Sequence, residues 1–175
     1  MASAETYEPI KTYYSSSGTD TEVIFSSIPQ NYTDLVVHCF HGNTIGSYYW
    51  LMFQVGNGSA DTGNNYYSTI IDSNNTTYNS SRYNANNNMK MGGSGNGGKT
   101  TNIGYIFDYA NTTTWKSSLS SYGHAQGSPQ TNSWVGDIVT TWKNTAAINY
   151  IRITNEGGNV FAGDTIFTLY GVKAA

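Results

Sequence analysis

The sequence predicts an all-β protein, an antiparallel jelly-roll-like β-sandwich with long polar loops, and three observations carry that reading. Aromatic residues make up 14% of the chain, 15 of them Tyr, and aromatic and β-branched side chains fill a pleated, half-buried surface. The polar part is crowded with Asn, Ser, Thr and 19 Gly, which compete for backbone hydrogen bonds inside a helix and favour turns and strands. Short apolar runs recur between Gly, Asn, Ser and Pro clusters, the spacing of a sandwich or barrel. At 175 residues the chain fits one domain, 1–175, because folding at this length buries roughly 70% of the unfolded surface around one core.

The elements follow in order. Residues 1–9, MASAETYEP, read as an N-terminal arm onto a neighbouring molecule. IKTYYSS and TEVIFSSI are the first strands. Ile28-Pro29 ends the second, since proline supplies no ladder donor, and PQNYTD turns the chain before Leu35 resumes. DLVVHCFH comes next, then SYYWLMFQV, whose continuous apolar run suggests a strand covered on both faces or partly buried in an interface. NYYSTII follows. From Ser73 to Thr100 the chain is Asn- and Gly-rich and nearly free of aliphatic residues, too little apolar surface to order itself. Residues 73–100 therefore read as a long surface excursion with a weak strand around Met89 to Met91, placed to contact a neighbouring subunit.

NIGYIFDYA, TTWKSSLSSYG, WVGDIVTTW, INYIRIT and DTIFTLYGV complete the series. In INYIRITN, Ile151 and Ile153 share one face while Ile148, Tyr150 and Arg152 share the other, so one side is apolar. No window of helical period opens on a cap, which leaves at most one turn of helix near TTWKNTAA. The last strand is expected to pair inside the sandwich rather than serve as a linker.

Composition excludes several classes of partner. Charged residues are 11%, the net charge is -3 and the pI is near 5.4, so no footprint for nucleic acid or an anionic membrane is present. No basic segment leads into an apolar run, and no stretch of about 18 apolar residues occurs, so no membrane partner is expected. Cys39 stands alone and forms no intrachain disulfide. In HCFH a strand sends His38 to one face and Cys39 and His41 to the other, and no second pair has ligand spacing, so neither metal nor cofactor is expected.

Catalysis finds no foothold. There is no G-x-S-x-G elbow, and Asp34, Asp61, Asp72, Asp108, Asp137, Asp164 and Glu156 show no spacing of a paired-carboxylate site. DTGNN at Asp61 to Asn65 resembles the opening of a calcium loop, but Asp72 stands where the closing Glu belongs, and a turn rich in side-chain-to-backbone bonds is the expectation. GGSGNGG lacks the following Lys-Ser/Thr of a phosphate cradle. The candidate binding residues are the aromatic ones, Trp50, Tyr66, Tyr67, Tyr78, Tyr83, Trp115 and Trp134, either as interface contacts or as platforms for sugar rings.

Phe25 to Leu35, Val55 to Ile71, Ile106 to Ser117 and Trp142 to Lys173 together resemble β-rich virion structural proteins of tailed bacteriophages, marine ones especially. The shared features are the opening Ile-Pro with Tyr-x-Asp-Leu and the closing Leu-Tyr-Gly-Val; the Asn/Gly-rich middle has no counterpart, and Gly46 to Trp50 replace an expected basic residue. The resemblance implies a jelly-roll-like sandwich in the virus particle, with no enzymatic activity. On that basis the expected role is a capsid decoration or cement protein, made in the host cytoplasm and residing on the virion surface. Its partners would be the major capsid protein or other virion proteins, with self-association as a dimer or trimer. The alternative is a tail or fibre protein that binds host-surface glycans.

Overall fold

The computed structural model describes residues 6–42, 49–94, 99–126 and 132–173. The strands are β1 (Tyr7–Ser15), β2 (Glu22–Ser26), β3 (Asp34–His41), β4 (Tyr49–Gly56), β5 (Tyr66–Ser73) and β6 (Tyr78–Asn86), then β7 (Met89–Ser94), β8 (Thr100–Phe107), β9 (Lys116–Gln126), β10 (Asn132–Trp142), β11 (Tyr150–Asn155) and β12 (Thr165–Val172). They form two antiparallel sheets, ordered β1-β12-β3-β8-β9-β10-β5-β6 and β2-β11-β4-β7. Successive strands alternate between sheets from β1 to β4, and β12 returns to lie between β1 and β3, an order consistent with a jelly roll. The hairpins β5-β6 and β9-β10 extend the larger sheet beyond β8.

Alternation decides which side chains face inward. In β2 it buries Val23 and Phe25, in β11 Ile151 and Ile153, and in β12 Phe167 and Leu169. These meet Leu35, Val37 and Cys39 of β3 and Leu51, Phe53 and Val55 of β4 in the main core. A second cluster of Ile70, Tyr122 and Ile138 lies under the extension, with Trp50, Tyr83 and Trp134 packed against it.

The strand expected around Met89 to Met91 is present as β7, but the rest of the Asn/Gly-rich stretch corrects the expectation of a surface excursion over 73–100. The stretch carries β6, paired with β5, and β7, paired with β4, and Met89 and Met91 are fully buried. The physical reason is that backbone pairing with β4 and β5 supplies what the side chains lack, while alternation needs only Met89 and Met91 to reach the core. Of the proposed arm 1–9, Tyr7, Glu8 and Pro9 belong to β1 and pair with β12, and residues 1–5 lie outside the described residues. No helical turn forms near TTWKNTAA. The Lys143 N–H bonds to the Asn65 carbonyl and the Ala146 N–H to the Asn144 side chain, which holds the segment irregular.

Candidate functional site

The four-stranded sheet covers only the inner side of the larger one, and the strand registers define what the outer side presents. One cross-strand row runs Tyr170, Val36, Tyr105, Leu119, Val139 and Thr69, with Val36 wholly buried. Beside it Tyr14, Ile166 and Phe40 line up at one end, and Ile71 and Val135 stand near the other. Ile71 is 66% exposed, Val135 60% and Val139 52%. Regular strands thus hold several large apolar side chains open on one sheet face.

The seven aromatic residues singled out in the sequence separate into groups. Tyr66 is a correction: it is wholly buried, its hydroxyl accepting the Val55 N–H at 3.0 Å and donating to the Asp61 carbonyl at 2.9 Å. Strand alternation sends Tyr66 inward and Tyr67 outward. Trp50, Tyr83 and Trp134 gather beside the second core cluster. Lys90, itself buried, places its ammonium 4.7 Å from the Tyr83 ring, 5.1 Å from the Trp50 ring and 3.7 Å from a Glu156 carboxylate oxygen. Burial lowers the Lys90 pKa, and Glu156 opposes that shift. Tyr78 is 90% exposed, on the rim of a groove of about 360 Å³ with Ile71, Val135 and Asp137.

Tyr67 and Trp115 come together at another place. With Thr141 and Lys143 they line a groove of about 310 Å³. The Lys143 ammonium lies 5.3 Å from the Trp115 ring and 5.9 Å from the Tyr67 ring. Two turns fix the walls. Asn111 Oδ1 accepts the N–H groups of Thr113 and Thr114 just before Trp115. Asp61 Oδ2 accepts the Trp142 indole N–H at 2.8 Å and the Asn65 amide at 2.9 Å, and its Oδ1 accepts the Gly63 N–H. Burial alone would raise the Asp61 pKa, but these donors outweigh it and hold the carboxyl below its usual range. DTGNN is thus a bonded turn around a carboxylate. Lys143 and Thr141 were missed in the sequence; alternation puts Lys143, Thr141 and Val139 on one face, but grouping them with Trp115 and Tyr67 needs the pairing of β10 with β9 and β5.

The remaining sequence candidates take structural parts. The strand alternation of HCFH holds, with His38 exposed and Cys39 and His41 buried. Asp34 accepts the Asp108 N–H, Asp72 the Tyr122 hydroxyl, Asp137 the Ser121 hydroxyl and Asp164 the Tyr14 hydroxyl. Among the described residues no group of three or more His, Cys, Asp and Glu is placed to hold a metal ion, and no helix is long and apolar enough to cross a membrane. Comparison of the chain with protein-family models, curated proteins and solved structures found no match.

Proposed function

We propose that this chain is a non-enzymatic virion structural protein, a decoration or cement protein that reinforces a phage head by contacts with major capsid subunits. The observation that carries the reading is the uncovered outer face of the eight-stranded sheet, where Leu119, Val139, Val135 and Ile71 stand exposed on paired strands. A specific contact needs about 800 Å² from each partner, and a rigid sheet face offers such an area with little ordering cost. The resemblance to phage virion proteins supplies the partner. Self-association as a dimer or trimer belongs to the same reading.

Antibody labelling of intact virions tests it: label distributed over the head is expected, and label confined to the tail overturns it. Leu119→Lys combined with Val139→Lys tests the face. The variant is expected to fold with a lowered melting temperature, because the two lysines face each other across the β9-β10 pair, and to lose attachment to capsid shells at temperatures where it remains folded. Attachment at wild-type levels would move the contact elsewhere. The second reading, a tail or fibre protein that binds host-surface glycans, is favoured by one observation, the groove between Trp115 and Tyr67 with a lysine across it.

A further inference from the structure

We propose that Trp115, Tyr67, Thr141 and Lys143 form a binding site for an anionic pyranose, a sugar unit that carries a carboxylate. The inference rests on the glycan-binding reading and narrows it to a place and a chemical class.

The argument begins with position. Lys116 pairs with Trp142 at the end of the β9-β10 ladder, so Trp115 and Lys143 stand one residue beyond it. Alternation puts both on the outer face, Trp115 two and four residues before Ser117 and Leu119 on one strand and Lys143 two and four residues after Thr141 and Val139 on the other. Trp115 is four residues from Leu119, about 13 Å along a strand, which leaves the groove at the rim of the apolar face rather than at its centre.

Each side chain then supplies one part of the recognition. Trp115 is 53% exposed despite its size, and an indole fixed by a bonded turn offers a flat apolar surface to the C–H face of a sugar ring at little entropic cost. Tyr67 adds a second ring and a phenolic hydroxyl, and Thr141 adds a hydroxyl that donates or accepts. Lys143 decides the charge of the ligand. The ion pairs among the described residues are Lys90–Glu156, Arg152–Glu22 and Lys173–Glu8, so the Lys143 ammonium rests on two rings with no carboxylate within 4.0 Å. A ligand carboxylate gives it a charge-assisted bond beside an apolar platform. The dimensions favour a sugar over a protein. A groove of about 310 Å³ matches the lower end of small-ligand sites, whereas a protein partner needs hundreds of Å² of surface.

The test is a titration of the whole protein, labelled with ¹⁵N, against a galacturonic acid trisaccharide and against the same trisaccharide with its carboxylates reduced to alcohols. The Trp115 indole signal is assigned with Trp115→Phe. The acidic trisaccharide is expected to shift that signal saturably, with weaker binding at high salt, and Lys143→Gln is expected to raise its Kd about tenfold. Lys143→Gln keeps the indole reporter and removes the charge. Equal affinity for the neutral trisaccharide, unaltered by Lys143→Gln, would overturn the claim of an anionic ligand. Binding that shifts other signals and survives Trp115→Ala would overturn the site while the glycan reading stood. Silence toward both sugars would overturn both together, and a glutamate-rich peptide shifting the Trp115 signal in their place would make the groove a protein contact.

Discussion

His41 is the residue whose chemistry reaches furthest. Both its ring nitrogens are buried without a hydrogen-bond partner, and its ring stacks on Phe167 and meets the edge of Phe161. Burial first, then the charges of His124 and Lys99, push its pKa down to about 3; burial pushes His124 down to about 4 against the opposing effect of Asp72. Both are neutral in the folded chain at pH 7, whereas the unfolded chain takes up protons at about 6.5. The unfolded state therefore binds more protons below that pH, and stability falls as pH drops from about 6.5 toward 4, by up to about 1.4 kcal/mol per pH unit for each histidine. Urea midpoints measured from pH 8 to pH 4 should show this fall. His41→Phe should make it shallower, leaving the His124 part, and should gain most at low pH and little at pH 8. Asp61 gives a second residue-scale expectation. Asp61→Ala strips the acceptor from the Trp142 indole N–H, and a loss of about 1–3 kcal/mol is expected by denaturant unfolding.

Among the elements, β12 and β8 hold glycines at close approaches that separate two kinds of crowding. A methyl group at Gly171 would lie 2.3 to 2.5 Å from ring atoms of Tyr32, whose hydroxyl is tied to Glu8. One at Gly104 would lie 1.9 Å from the Met91 terminal methyl, the far end of a flexible side chain. Gly171→Ala should therefore cost on the order of 1–3 kcal/mol and Gly104→Ala clearly less, compared by thermal unfolding. The same elements show what the sequence makes legible. Period-two burial in β11 was readable because Ile151 and Ile153 alternate there with Tyr150 and Arg152, and so was the alternation of His38, Cys39 and His41, whereas β3 also buries Leu35, Val36 and Val37 in succession, which no period-two pattern predicts. β6 was not, since YNSSRYNAN has no apolar alternation and is a strand only because β5 is beside it. The candidate aromatics were readable as a set but not as groups: Tyr66 and Tyr67 are adjacent and have opposite fates, and Trp115 shares a groove with Tyr67 across strands distant in sequence.

Over the whole molecule, the edges and the pairing order are the consequential features. The larger sheet ends in β1, which contains Pro9 and a register shift, and in β6, which is polar along its length; both blunt edge-to-edge association. The pairing is dominated by distant segments, β1 with β12, β5 with β10 and β4 with β11. Folding dominated by such pairing falls in the millisecond to second range, which stopped-flow tryptophan fluorescence should record. Tyr7 lies opposite Val172, so the outer ends of β1 and β12 emerge side by side. A pull on those two ends would load the ladder one rung at a time, as a zipper is opened, rather than shearing all its bonds together. The molecule should be mechanically weak along that axis.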